Sequence, residues 1–308
     1  MPNLAVEKLS ISYFRSHRAL EISCDPRPVA IFGANGVGKT NILEAVSLLS
    51  PGRGVRRATA ADMVRKPENL GWKIKAVLRL NDRICEIETW SESGSARQVR
   101  IDDKAVTQIA LGKIVRVLWL IPAMDRLWTD AAEGRRRFLD RMTLSFDSDH
   151  AENVLTYEKA MRERNRLLKS QITDEPWYKA IESQMAKAAV KIWASREETL
   201  KVVGEAQEWS ETLFPSASLK LVNSEDVEIP SNSEDLAELL SQYRKRDILA
   251  GRTLVGPHRD DLYGVFLAKN IPAKESSTGE QKALLLSLIL ANCRALKKQT
   301  GITPLLLL

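Results

Sequence analysis

Apolar residues near the start of the chain recur at every second position: Leu4, Val6 and Leu9 with Ile11, then Leu20 and Ile22. Alternation of this kind predicts half-buried β-strands. Val29-Ala30-Ile31-Phe32 is instead continuous, the pattern of a strand buried on both faces. Over residues 39–49 the period lengthens, with Ile42, Leu43, Val46 and Leu49 on one helical face. A change from period 2 to period 3.6 across a glycine-rich turn predicts a strand-loop-helix unit. Residues 72–106 read as an antiparallel meander in which Ile74, Ala76, Leu78 and Leu80 alternate with Lys73, Lys75 and Arg79. Turns are expected at Asn81-Asp82, Ser93-Gly94 and Asp102-Asp103. A further apolar strand is expected over 114–121, stopped by Pro122.

Glycine almost disappears over residues 147–213, and apolar residues fall at helical spacing on either side of Pro176. Ile181, Met185, Ala188, Ile192, Thr199 and Val203 approach a heptad seam. That pattern fits a paired-helix arm and equally an amphipathic helix packed on a domain. Residues 216–235 are polar and loop-like. The chain therefore divides into 1–146, a helical 147–213 and 214–308.

Composition narrows the class. Of 308 residues, 44% are hydrophobic and 28% charged, as in folded globular domains and unlike disordered or collagen-like chains. Lys and Arg number 46 against 40 Asp and Glu. The excess permits a polyanionic partner without demonstrating one. The longest apolar stretches, 117–124 and 283–291, fall far short of the ~20 residues that span a membrane. The start of the chain lacks a secretory pattern, so a cytoplasmic location is expected. The three cysteines and three histidines are scattered, without metal-ligand spacing.

The strongest chemical signal is Gly33-Ala34-Asn35-Gly36-Val37-Gly38-Lys39-Thr40. It fits G-x-x-x-x-G-K-[ST] between a predicted strand and a predicted helix, the context a P-loop requires. Glycines let backbone N–H groups curl around phosphate oxygens, and the helix N-terminus adds positive potential. Lys39 would neutralise the β and γ phosphates of ATP, and Thr40 would place its hydroxyl on Mg2+. A second element, Ser276-Ser277-Thr278-Gly279-Glu280-Gln281-Lys282, opens an apolar helix. It resembles the S-x-G-x-Q signature of ABC-type ATPases in Ser277, Gly279 and Gln281. The same residues also read as an ordinary helix cap with Glu280 close behind.

Phe14-Arg15, the P-loop with Asn41-Ile42-Leu43-Glu44-Ala45, Gly52-Arg53-Gly54 with Arg56, Arg135-Arg136-Arg137-Phe138-Leu139-Asp140, Gly256-Pro257-His258-Arg259-Asp260-Asp261 and the 276–282 element occur in that order. Together they resemble the RecF family through essentially the whole chain. The resemblance implies an α/β fold: a P-loop ABC-type ATPase head with an antiparallel β subsheet and an inserted helical arm. It implies ATP and Mg2+, with Arg15 joining the P-loop residues at the nucleotide. It also implies an ATP-gated homodimer in which Ser277, Gly279 and Gln281 meet ATP of the other subunit. By the same resemblance, the chain would bind DNA without sequence specificity. It would act with RecO and RecR in loading RecA at single-stranded gaps, with roles in replication and SOS induction.

Two departures qualify this. The family's Pro-Glu-Asp reads Pro122-Ala123-Met124-Asp125, so no Q-loop-like role is assigned there. The apolar Thr303-Pro304-Leu305-Leu306-Leu307-Leu308 resembles a Walker B strand, and the sequence ends where its Asp is expected, which implies weak ATP hydrolysis. No catalytic residue is identifiable.

Candidate DNA contacts are Arg53, Arg56, Arg57, Arg65 and Lys66. Three further basic clusters are Arg135 to Arg137 with Arg141; Arg162, Arg164, Arg166 and Lys169; and Arg244, Lys245, Arg246, Arg252 and Arg259. The Arg135–Arg137 run could equally pair with carboxylates of the head. Sparse aromatic residues disfavour base stacking and favour phosphate contact. Alternatives are a fold-retaining interaction protein without turnover, a transporter motor and a small-molecule kinase. The last two leave the helical insertion or the signature residues unexplained.

Overall fold

The computed structural model describes residues 4–81, 83–92, 95–209, 212–223 and 227–308. The turns expected at Asp82 and Ser93-Gly94 lie outside the described residues. In chain order the first elements are β1 (Leu4–Phe14), β2 (His17–Ser23), α1 (Lys39–Ser47), β3 (Trp72–Leu80), β4 (Arg83–Ser91), β5 (Gln98–Ile101), β6 (Lys104–Val106), α2 (Leu111–Ile114) and β7 (Val117–Trp119). There follow α3 (Ala132–Phe146), α4 (His150–Lys169), α5 (Glu175–Glu208), β8 (Ala217–Val222), α6 (Ser233–Gln242), α7 (Arg244–Ala250), β9 (Asp261–Phe266), β10 (Ile271–Pro272), α8 (Thr278–Thr300) and β11 (Leu305–Leu307). The chain forms two compact units, Met1–Pro122 with Cys293–Leu308, and Ala123–Asn292.

In the first unit an antiparallel sheet runs β2-β1-β3-β4-β5-β6. The expected alternation is realised: Ile74, Ala76 and Leu78 point into the core while Lys73 lies exposed. Leu9, Ile11 and Phe14 of β1 pack with Leu48 and Leu49, just beyond α1, in the same cluster. Burying each such side chain stabilises the unit by about 1.5–3 kcal/mol relative to exposure. Asn81, Asp102 and Asp103 have positive φ, as residues at tight turns often do.

Two strand expectations are corrected. Residues 29–32 form no strand, and Val29, Ile31 and Phe32 are exposed, Phe32 at 93%. An apolar run becomes a buried strand only when neighbours supply a hydrogen-bonding ladder on its edges and cover on its faces. Among the described residues no strand pairs with 29–32; the parallel pairing is between β11 and β7, Leu305 opposite Val117. Of the stretch 114–121, only Val117–Trp119 is strand, and Ile114 closes the short helix α2.

In the second unit α4 and α5 pair, with Asp174 capping α5 through Trp177 N at 2.9 Å and Pro176 in the first turn. Proline is tolerated there because that N–H has no intrahelical partner. All six seam residues are buried. Ile181, Met185, Ala188 and Ile192 pack into a core with Leu236 and Leu240 of α6, so the helices are built into their unit as a packed pair. The polar stretch 216–235, expected as a loop, holds β8 and the start of α6. β8 lies beside β9, Leu219 opposite Gly264, and its alternation of Ala217, Leu219 and Leu221 was the available signal.

Polar side chains of α4 and α5 bond to α3 and to residues 253–258. Arg196 grips Asp140 with Nε at 2.9 Å and a terminal nitrogen at 3.1 Å, and donates to Pro257 O at 2.8 Å. Tyr157 Oη donates to His258 Nδ1 at 2.7 Å, while His258 Nε2–H donates to Thr253 O at 3.0 Å. That arrangement holds a neutral imidazole, and burial drives its pKa down to about 4. A histidine depressed in the fold binds its proton first in the unfolded chain, so its effect is stability lost as pH falls from about 6.5 towards 4. We expect urea unfolding to show a loss of about 3 kcal/mol over that window from this group. A His258→Gln variant should flatten the slope, and an unchanged slope would exclude His258 as its source.

Candidate nucleotide site

Residues 33–37 are exposed, and α1 begins at Lys39 directly behind the loop. Gly36 and Gly38 have φ of 86° and 99°, conformations that side chains disfavour. At Gly38 a Cβ would lie 2.4 Å from Ser16 Oγ and 2.7 Å from His17 Nε2. His17 Nε2 is 3.1 Å from Gly38 O, so the β1–β2 turn rests against the end of the loop. No side chain caps the N-terminus of α1, and no acidic residue stands in its first turn. Its leading N–H groups and positive potential are therefore suited to an anion. Lys39 Nζ donates to Gly33 O and Ala34 O, both at 2.8 Å. The ammonium thus lies against the loop that the pattern assigns to phosphates. Thr40 is exposed on the first turn. Ala34, Asn35 and Val37 complete the loop, all exposed.

One turn further along α1, residues quoted above for the family resemblance converge into a frame beneath the loop. Glu44 is fully buried and receives Arg15 in a fork, Nε to Oε2 at 3.0 Å and a terminal nitrogen to Oε1 at 2.7 Å. Arg56 shares it at 3.2 Å and also donates to Asn41 Oδ1 at 2.9 Å. Asn41 Nδ2 donates to Ser16 Oγ at 2.7 Å. Arg15, expected at the nucleotide, directs its remaining terminal nitrogen to Asp62 O at 2.7 Å, so every side-chain nitrogen bonds the frame beneath the loop. The sequence motifs include Glu44, Arg15 and Arg56 without their pairing, for which the available signal was a lone carboxylate inside the apolar helical run Ile42-Leu43-Glu44-Ala45-Val46.

The 276–282 element sits at the start of α8. Ser277 N and Oγ both donate to Glu280 Oε2, at 2.9 and 3.0 Å, and Glu280 N donates back to Ser277 Oγ at 3.4 Å. This is a reciprocal capping box. Lys269 on one side and Ser277 on the other hold the Glu280 carboxyl down at about 2. Gln281 is buried and donates to Ser276 O at 2.8 Å. Gly279 has nothing within 4 Å of where a Cβ would stand, so intrachain packing does not demand a glycine there.

The basic clusters separate by environment. Arg135 grips Asp261 with both arms, at 2.6 and 2.8 Å, and Arg136 donates to Asp260 O at 2.7 Å, which makes both structural. Arg164 is completely buried and Arg244 is forked onto Glu182 at 3.2 and 2.8 Å, so these two are withdrawn as DNA contacts. Around the first unit, Arg56 is held by Glu44, and Arg65 by Glu68 and Ser16 O. Arg53, Arg57 and Lys66 are exposed, as is Arg18.

A family model described as an AAA domain matches residues 8–247. The DNA replication and repair protein RecF of Rhizobium rhizogenes is 44% identical over 315 residues, covering 98% of this chain and 84% of that protein. This chain belongs to the RecF family. RecF of Mesorhizobium japonicum is similar at 42% identity, over 98% of this chain and 83% of its own length. A solved structure of the recombination mediator RecF with ATP, from the RecFOR pathway, superposes with a TM-score of 0.84. It has 23% sequence identity and covers 100% of this chain and 86% of that one. The fold is therefore that of a RecF-type P-loop ATPase head. No described helix is long and apolar enough to cross a membrane.

Proposed function

We propose that this RecF-family chain binds ATP at residues 33–40 and serves DNA replication and repair as an ATP-gated, DNA-binding dimer. The observation that carries the reading is the exposed glycine loop on the uncapped N-terminus of α1 with Lys39 folded onto it. Thr40 offers a hydroxyl to Mg2+, an ion whose charge would balance the phosphates. Ser277 and Gly279 face ATP of the second subunit, with Gln281 buried behind them and bracing Ser276, and the open space at Gly279 supports close approach by another molecule. Arg53, Arg57 and Lys66 contact DNA phosphates. RecO, RecR and RecA are the partners, at single-stranded gaps, with effects on replication and SOS induction.

The test is DNA affinity at fixed salt with ATP, with ADP and without nucleotide. Affinity is expected to rise with ATP, because two basic surfaces combine. Ser277→Arg should abolish the rise by placing a bulky cation at the dimer contact, while ATP still binds the monomer. Replacing Arg53 and Arg57 together should flatten the salt dependence by about 0.9 in the log–log slope for each duplex phosphate no longer neutralised. Equal affinity in all nucleotide states and in Ser277→Arg would end the dimer reading.

A further inference from the structure

Arg97 stands one residue before β5 and reaches across to the far end of α1. Its Nε donates to Thr89 Oγ1 at 2.7 Å and one terminal nitrogen to Gly52 O at 2.7 Å. The other donates to Leu48 O, with Ser50 O at 3.5 Å. Among the described residues it has no carboxylate partner. Burial lowers its pKa to about 10, which leaves it charged at neutral pH. Leu48 is the C-cap of α1, where carbonyls lack helical partners and the dipole favours a cation. A planar fork can span the helix-end carbonyl and two carbonyls of the segment after it in a way that a lysine ammonium cannot.

The strap is residues 50–57, and its other fastenings also lead to α1. Val55 N donates to Ser47 Oγ at 2.9 Å, and Arg56 holds Asn41 and Glu44. Arg53 between these anchors and Arg57 just after them lie exposed. The same helix begins at Lys39. We propose that Arg97 is a positioning residue that locks this basic strap to the C-terminal end of the nucleotide helix, so that displacement of α1 on nucleotide binding reaches Arg53 and Arg57. The inference rests on the ATP reading above, and it requires α1 to take two discrete arrangements, with and without nucleotide, that its fixed contacts pass to the strap.

Trypsin cleavage after Arg53 and Arg57 tests it on the whole chain, with and without a non-hydrolysable ATP analogue, beside nucleotide titration and thermal melting. In the wild type the analogue should slow cleavage severalfold. In Arg97→Met, nucleotide affinity should be retained while the analogue no longer alters cleavage. Arg97→Lys should restore part of the effect, and Thr89→Val, which removes one partner of the fork, should weaken it. These last two variants decide the matter if Arg97→Met does not fold. Nucleotide-dependent protection that is undiminished in the folded variants overturns the proposal. Wild-type cleavage that ignores a bound analogue also overturns it and leaves the ATP reading intact. A wild-type chain that binds no nucleotide retires that reading and this inference with it.

Discussion

Gly38→Val is expected to reduce nucleotide binding below detection, and Lys39→Ala to do the same by a different route. At Gly38 the backbone sits at φ 99°, where a β-branched residue carries strain of about 1–3 kcal/mol. Its Cβ would also overlap Ser16 Oγ and His17 Nε2. Relief requires the Ser16 and His17 side chains to turn away, which breaks the His17 contact with Gly38 O. It also disturbs Asn41, whose amide is held by Ser16. The loop N–H groups then lose the curvature needed to converge on phosphate oxygens. Lys39→Ala leaves that curvature intact and removes the ammonium lying along the loop. Fluorescent-nucleotide titration, with circular dichroism to verify folding, separates these effects from unfolding. Wild-type affinity in both folded variants would retire the P-loop assignment.

The shape of the loop was legible in sequence because it depends on residue type at fixed offsets: glycines for positive φ and a helix that starts at Lys39. The antiparallel meander was legible for a similar reason, since alternation along β3 is itself the packing rule. Residues 29–32 show the opposite case. Their apolar pattern specifies what a strand would bury but not which neighbour would cover it, and Phe32 stands in solvent. Charge runs were the least legible. Arg164, Arg135 and Arg53 look alike in sequence. One is completely buried, one is forked onto Asp261 and one is exposed. The difference arises from carboxylates distant in the chain, Asp247 lying 83 residues beyond Arg164 and Asp261 lying 126 beyond Arg135. The same distance hid Arg97, whose acceptors lie up to 49 residues before it.

Arg164→Met is expected to be the most destabilising single change in the Ala123–Asn292 unit. Arg164 has no exposed surface. It donates to Glu182 Oε1 at 2.9 Å, Asp247 Oδ2 at 2.5 Å, Thr253 Oγ1 at 2.9 Å and Leu240 O at 2.7 Å. One guanidinium therefore joins α4, α5, α6, α7 and the segment after α7. Both carboxylates are buried with it. Glu182 would keep Arg244 after the change, whereas Asp247 would be left to the backbone, with Leu254 N at 3.0 Å. Breaking a buried pair by removing one partner costs about 3–5 kcal/mol, a large share of the roughly 5–15 kcal/mol typical of a folded domain. Burial already raises the Asp247 carboxyl above its ordinary value, with Arg164 opposing the rise. Without Arg164 the folded-state pKa climbs further, and the unit then binds a proton more readily than the unfolded chain does. Acidification therefore stabilises the variant relative to wild type, and the deficit at pH 7 should shrink as pH falls through the raised titration range of Asp247. Arg164→Met combined with Asp247→Asn should recover part of the loss and erase that pH dependence. Nucleotide affinity should survive in the folded fraction, because residues 33–40 belong to the other unit. Urea denaturation across this pH range is the measurement. A loss under about 1 kcal/mol, of the size seen for exposed ion pairs, would mean that Arg164 is not the keystone of the helical unit.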